Sequence, residues 1–267
     1  MSADLLVRHV DRMTCRSCRA GLVASTSGAE CQACAQTYPD LGGFLDLTLD
    51  LAMPAKIGLG TLLSQAPLQV ARYEDLTRAA YLQVAAVNWG EQCTQEMEKQ
   101  YLREHAGADA GPAVDIACGP GRWTRVLVEK FGADQVIGLD LSVTMLRAIH
   151  EALPGISLVR ADAMDLPFAD SSLGGVNCSA ALQIMPDAAR VISEFGRVLG
   201  PGGTFTLASL TEAPRPLQRY FQRRQEVAFG ARSFRLDDVL EWTRASGMEV
   251  LDVTTPASFL LLTARKL

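Results

Sequence analysis

Histidine is scarce in this chain, with three in 267 residues, at positions 9, 105 and 150. Imidazole is the side chain best suited to take a proton near neutral pH. His9 precedes a cysteine-rich segment, and His150 falls on a predicted helix away from the sheet edge where a ligand would sit. None of the three is placed as a general base. Positive charge is also in deficit: 25 Lys and Arg against 30 Asp and Glu give a net charge of −5. A nucleic acid as main partner is therefore disfavoured, because neutralising phosphates needs a basic surface. No apolar run reaches membrane-spanning length, and the N-terminus lacks a basic-then-apolar signal pattern. The expectation is a cytoplasmic chain without a membrane partner, in a compartment where thiols stay reduced. Internal repeats and low-complexity tracts are absent. With 48% hydrophobic and 21% charged residues, a sizeable core is expected.

Cysteine is the first thing present in a telling arrangement. Cys15 and Cys18 form one C-x2-C pair, Cys31 and Cys34 a second, twelve residues apart. Two such pairs can close four thiolates tetrahedrally on one zinc ion. Two disulfides or four free thiols are the alternatives, and a reducing compartment disfavours the first. Four protein ligands leave no open position, so such a zinc is structural. It compensates for the small core of a fifty-residue segment. Cys93, Cys118 and Cys178 lack partners in sequence and read as buried packing.

The run from Ala113 to Thr124, AVDIACGPGRWT, reads as a buried strand, a glycine turn and a helix start. Gly119 and Gly121 allow close backbone approach to a ligand. Asp140 ends the next apolar run, nineteen residues past Gly121, where a carboxylate can accept from ribose hydroxyls. A dinucleotide site would normally carry a third glycine where Thr124 stands. Asp115, ahead of the glycines, would repel a pyrophosphate but suits an ammonium. S-adenosylmethionine (SAM) has an ammonium, a ribose and no phosphate. Asp162, in Arg160-Ala-Asp-Ala-Met164, follows a third apolar run and can accept from an adenine amino group.

Alternation of apolar runs and amphipathic stretches then predicts a parallel sheet. Strands are expected at 113–118, 135–140, 157–161, 173–179, 203–210, 248–254 and 257–265. Helices are expected at 121–131, 142–152, 187–199 and 236–246. The short turn at Pro256 makes the last two strands an antiparallel hairpin. Ahead of the sheet, residues 51–66 read as a linker, Leu68 to Val87 as a helix, and Glu91 to Glu104 as another. Tyr73, Glu74 and Tyr81 on the first of these are either acceptor contacts or packing residues. Arg215, Arg219 and Arg223 recur at i, i+4 spacing. If helical they share a face, which is either a basic lid for an anionic substrate or RNA backbone, or a solvated surface.

Five pieces in order, Asp115 to Gly121, Asp140, Asp162-Ala163, Ala181 to Asp187 and Arg197 to Gly203, make the segment from about Ala113 to Leu267 resemble the class I SAM-dependent methyltransferases. The resemblance implies an α/β, Rossmann-like, seven-stranded and mostly parallel sheet, with an antiparallel last strand and helices on both faces. A small N-terminal zinc ribbon is added to it. The expected division is 1–50 ribbon, 51–108 linker and helical cap, and 109–267 SAM-binding domain. Expected cofactor contacts are Asp115, Ala117, Gly119, Gly121, Asp140, Leu141, Asp162, Ala163, Met164 and Ser179. Expected zinc ligands are Cys15, Cys18, Cys31 and Cys34.

Departures bear on the acceptor. Gln183 stands where many small-molecule relatives carry histidine, and it can orient an acceptor but cannot take a proton. Gly174 replaces the usual Asp at the start of strand four, and no Asn/Asp-Pro-Pro-Tyr signature is present. The leading expectation is methyl transfer to a small molecule, in a specialised biosynthetic pathway, with Gln183 at the acceptor. The layout also resembles the rRNA guanine-N1 methyltransferases, although those commonly use a histidine among their zinc ligands. A third reading is a cyclase or other non-methylating SAM-binding protein on this fold. A homodimer is left open.

Overall fold

The computed structural model describes residues 8–49, 93–109 and 111–267. The expected linker at 51–66, the helix from Leu68 to Val87 and its Tyr73, Glu74 and Tyr81 lie outside the described residues.

The N-terminal segment forms three short antiparallel strands: β1 (Leu22–Ser25), β2 (Gly28–Cys31) and β3 (Thr37–Pro39). A turn bearing one cysteine pair precedes β1, and the other pair spans the end of β2 at Cys31 and the turn that follows it at Cys34. A two-residue strand, β4 (Leu45–Asp46), follows.

Helix α1 (Gln95–His105) comes next, capped by Thr94, whose hydroxyl accepts from the Met97 amide. The expected start at Glu91 therefore moves inward to this cap. The sheet and its helices then follow in chain order: β5 (Ala113–Ile116), α2 (Arg122–Phe131), β6 (Val136–Asp140), α3 (Val143–Ala152), β7 (Ser157–Arg160), β8 (Leu173–Ser179), α4 (Ala188–Val198), β9 (Leu199–Leu210), α5 (Pro216–Phe229), α6 (Leu236–Ala245), β10 (Met248–Thr254) and β11 (Phe259–Lys266).

Strand order is β10-β11-β9-β8-β5-β6-β7-β4. Parallel pairing runs from β9 through β8, β5, β6 and β7, and β11 runs antiparallel between β9 and β10. The strand order reverses at β5, so a crevice opens between the carboxyl ends of β5 and its neighbours. The expected hairpin forms as predicted. Among the described residues the sheet has eight strands rather than seven, because Leu45 and Asp46 pair in parallel with Val159 and Arg160 of β7. Two residues are too few to carry a periodic signal. Strand β9 also begins at Leu199 instead of 203.

Strands β5 and β8 are buried along their whole length, as a sheet covered on both faces requires. The main core continues from Val114, Ile116, Ile137 and Leu139 to Phe195, Phe205, Leu260 and Leu262. It includes Met13, Cys15, Leu22 and Tyr38, so the cysteine segment shares its core with the sheet. Phe44 fills a second cluster with Leu146, Ile149, Ile156 and Leu158. Cys93, Cys118 and Cys178 are buried in apolar surroundings, as expected.

Candidate functional site

The glycine turn after β5 needs left-handed backbone at three successive alternate positions: Ala117 at φ 54°, Gly119 at 54° and Gly121 at 94°. A Cβ at Gly119 would meet no atom within 4 Å, so this part of the turn faces open space. Gly121 differs, because a Cβ there would come within 2.8 Å of the Ile149 side chain on α3. Its glycine serves the packing of α2 against α3 rather than only an approach to a ligand. Ala117 adopts left-handed backbone without being glycine, a conformation sequence reading gives no reason to expect.

Asp115 is almost wholly buried, and both of its oxygens are engaged. Thr124 Oγ1 donates to Oδ2 at 2.6 Å, and Asn177 Nδ2 donates to Oδ1 at 2.7 Å. Burial pushes its pKa up to about 6; the two hydrogen bonds pull downward and the nearby Asp140 charge pushes upward. Asn177 in turn accepts from Ser179 Oγ at 3.0 Å and Thr206 Oγ1 at 3.1 Å. The sequence points to neither Asn177 nor Thr206, and to Thr124 only by its place in the motif. The only signal was the offset of Thr124, which falls where a third glycine was sought.

Asp140, at the end of β6, accepts from the Gly119 amide at 2.9 Å and the Ser142 amide at 2.8 Å. Its pKa is also raised by burial, with the backbone amides opposing. One carboxylate thus ties the glycine turn to the start of α3. Asp162 accepts from the Met164 amide at 2.9 Å, forming a tight turn after β7. Leu141 and Asp162 are partly buried, and Ala163 and Met164 pack against the main core. Among the described residues, none of Asp115, Asp140 and Asp162 forms an ion pair. Gln183 lies on a short 3-10 turn after β8, buried, with its Oε1 accepting from Ser209 Oγ at 3.1 Å.

Helix α5 carries Arg219 and Arg223 of the arginine run, while Arg215 is its extended N-cap and stands outside the helix. Gln222 anchors its inner face, accepting from the Ala213 amide and donating to the Thr211 carbonyl. A stripe of Pro216, Arg219, Tyr220, Arg223, Arg224 and Val227 lines an open cavity of about 540 Å³.

The four cysteines converge. Their sulfurs all lie within 4.8 Å of one another, with Cys15–Cys34 and Cys18–Cys31 at 3.5 Å and Cys18–Cys34 at 3.6 Å. None of these separations is a disulfide bond, and all four cysteines are free. Tetrahedral zinc–thiolate geometry puts sulfurs about 3.8 Å apart, so the set fits zinc. Backbone amides of Ser17 and Cys18 aim at Cys15, that of Ala20 at Cys18 and that of Gln36 at Cys34. Tyr38 donates to Cys15 Sγ at 3.2 Å. Amide and hydroxyl donors aimed at sulfur favour the thiolate that binds metal.

Sequence and structure comparisons agree with this geometry. The Methyltransferase domain family matches residues 113–203. An uncharacterized chloroplastic methyltransferase of Arabidopsis thaliana is 30% identical over 255 residues, covering 90% of this chain and 70% of the relative. The demethylmenaquinone methyltransferase of Staphylococcus carnosus is 33% identical over 163 residues, covering 58% of this chain and 67% of that protein. A crystal structure of an S-adenosylmethionine-dependent methyltransferase from Mesorhizobium loti superposes with a TM-score of 0.51 at 27% identity, covering 59% of this chain and 93% of the other. With the glycine turn, the two strand-end carboxylates and the reversed last strand in their expected order, the chain belongs to the SAM-dependent methyltransferase family.

Proposed function

We propose that this protein transfers the methyl group of SAM to a small-molecule acceptor that carries an anionic group. The observation that supports the cofactor reading most directly is the pair of carboxylates Asp115 and Asp140 beside the open turn at Gly119, with Asp162 at the turn after β7, all three free of ion pairs among the described residues. Such a cradle suits a cation and repels a pyrophosphate. Asp140 would accept from the ribose hydroxyls and Asp162 from the adenine amino group. Leu141, Ala163 and Met164 would flank the adenine, and Ala117, Gly119, Gly121 and Ser179 would complete the wall. Almost wholly buried where Asp140 is only partly so, Asp115 acts through Thr124 and Asn177 as a positioning residue for the turn.

SAM supplies a methyl group already activated on a sulfonium, so much of the catalysis comes from holding two reactants in line. Gln183, fixed by Ser209, orients the acceptor and leaves proton removal to the acceptor's own acidity or to water. The arginines of α5 and the ring of Tyr220 suit an acceptor with an anionic group and an apolar body. The division into a ribbon at 1–50, a linker and cap at 51–108 and a SAM domain at 109–267 belongs to the same reading. So do structural zinc and a reducing, cytoplasm-like compartment, which four unpaired thiols favour. No helix among the described residues is long and apolar enough to cross a membrane.

Calorimetric titration of S-adenosylhomocysteine into the wild type and Asp140→Ala tests the cofactor reading. Binding that weakens by about 1.5–3 kcal/mol in the variant is expected. No binding to the wild type overturns it. Incubation with SAM and a panel of anionic and neutral acceptors, read by product mass, tests the acceptor class. Cofactor binding without any methylated product would turn the assignment to a non-methylating reaction on this fold.

A further inference from the structure

We infer that the cysteine ribbon braces the two loops assigned to the cofactor, so that zinc occupancy and cofactor affinity are linked. The inference rests on the SAM reading above.

The adenine-side loop is the first to be held. Asp162 shapes it by accepting from the Met164 amide, and the Asp165 amide donates back to the Asp162 carbonyl at 3.1 Å. The Asp165 carboxylate is gripped by two arginines of the first cysteine turn: Arg16 Nη2 at 3.1 Å, and Arg19. Each arginine directly follows a cysteine of that turn, Arg16 after Cys15 and Arg19 after Cys18. The turn is closed by the Arg19 amide donating to the Cys15 carbonyl at 2.8 Å. The Arg16 amide donates to Tyr38, the same hydroxyl that donates to Cys15. Whatever fixes the sulfurs therefore fixes the backbone that aims both guanidinium groups.

The ribose-side loop is held by an independent route. Arg160, at the end of β7, donates from Nε to the Leu141 carbonyl at 3.1 Å, one residue past Asp140. Its Nη1 pairs with Asp46 of β4 at 2.9 Å. Asp46 is held in turn by the Thr48 amide at 3.0 Å and hydroxyl at 2.6 Å. Burial opposes its charge, but these donors and Arg160 outweigh burial and keep its pKa below the ordinary carboxylate range. The Leu47 amide adds a backbone bond to the Arg160 carbonyl.

Both loops thus end in a charge pair with the N-terminal segment. These pairs are partly exposed, Asp165 with a quarter of its side chain accessible and Arg19 with about half. Pairs of that kind add little to global stability. Their effect falls on where the loops sit. By reciprocity, if an ordered ribbon tightens cofactor binding, the cofactor must tighten zinc binding by the same factor.

The test uses the zinc-loaded full chain. S-adenosylhomocysteine affinity is measured by calorimetry for wild type, Asp165→Ala, Asp165→Glu, the pair Arg16→Ala with Arg19→Ala, and the triple variant. We expect Kd to rise about fivefold or more in Asp165→Ala and in the arginine pair. The triple variant should add nothing further, Asp165→Glu should recover part of the loss, and thermal midpoints should stay within about 2 °C. A chromophoric chelator titrated at equilibrium, with and without S-adenosylhomocysteine, should show tighter zinc in the presence of ligand, and the difference should vanish in Asp165→Ala. Unchanged affinities in every ribbon variant, with binding still lost in Asp140→Ala, overturn the brace and leave the cofactor reading standing. If the wild type itself does not bind, the cofactor reading falls; if it binds and Asp140→Ala binds equally well, only the ribose role of Asp140 falls.

Discussion

Asn177 donates to one oxygen of Asp115 at 2.7 Å while its own carbonyl oxygen accepts from Ser179 and Thr206. The amide polarity of one side chain therefore orders three strands, β5, β8 and β9, directly beneath the glycine turn. Replacing it leaves a buried carboxylate short of a donor. Asn177→Leu should destabilise the fold by about 1–3 kcal/mol, read as a lower midpoint in urea. Asn177→Asp should cost more, because it sets a second carboxylate against Asp115.

The raised pKa of Asp115 has a definite sign in stability. Its carboxyl titrates near 6 in the folded chain against a reference value of 3.8. The native state therefore binds more protons than the unfolded state between those values. Its contribution is fully present below about pH 4 and is lost as pH rises through about 6. Relative to Asp115→Asn, the wild type should gain stability on going from pH 7 to pH 5, with a slope of at most about 1.4 kcal/mol per pH unit. Urea denaturation at three pH values reads this directly. A flat difference would show that Asp115 stays ionised throughout.

Two left-handed positions in the same turn should respond unequally. Gly121→Ala must bear both a φ of 94° and a Cβ 2.8 Å from Ile149. A loss of about 2–4 kcal/mol is expected from backbone strain and overpacking together. Ala117→Gly relieves a φ of 54° while freeing the unfolded chain, and these effects nearly cancel. Its stability should stay within about 0.5 kcal/mol of the wild type.

Arg197 supports the surface on which the ribbon sits. It pairs with the buried Glu194 at 2.6 Å and donates to the Leu166 and Phe168 carbonyls. Glu194 also accepts from the Leu166 amide. Residues 167–169 then bond to Arg12 and Thr14. Arg197→Met leaves the buried Glu194 with only the Leu166 amide and Arg190 at 3.7 Å, and with Arg197 a quarter exposed the cost should be about 2 kcal/mol. The same variant should expose the ribbon to limited proteolysis.

Zinc content offers the plainest check. Metal analysis should find one zinc per chain, and Cys31→Ser should lose it. Loss of a closed four-cysteine site should lower the thermal midpoint by at least about 5 °C. An unchanged midpoint would mean that the buried Met13, Leu22 and Tyr38 hold the segment without metal.

Most of the sheet was legible because its strands are continuous apolar runs broken by helical periodicity, and Asp140 and Asp162 were legible because they terminate such runs. The four cysteines announced themselves by spacing alone. What escaped shares a physical character. Asp46 and Arg160 are 114 residues apart, and Arg19 and Asp165 are 146 apart. A single charged residue carries no mark of a distant partner. β4 is two residues long, and Asn177 sits in a strand whose neighbours are all buried. For Asp115 the residue was found, but its partners Thr124 and Asn177 were not, because neither carries a mark of that pairing in the sequence.

The brevity of β4 bears on how these molecules coexist at high concentration. A sheet margin with unpaired amides is a template on which another chain can grow. One margin here ends in two residues whose only acidic group is already locked to Arg160. The other, β10, is irregular between Val250 and Asp252 and carries Glu249 and Asp252. Neither offers a long flat apolar row for a neighbour to extend. Removing the first fifty residues would leave β7 without its β4 partner at Val159 and Arg160, on a strand whose first three residues are buried. The truncated chain should therefore precipitate by edge-to-edge growth, a liability that the intact N-terminal segment suppresses.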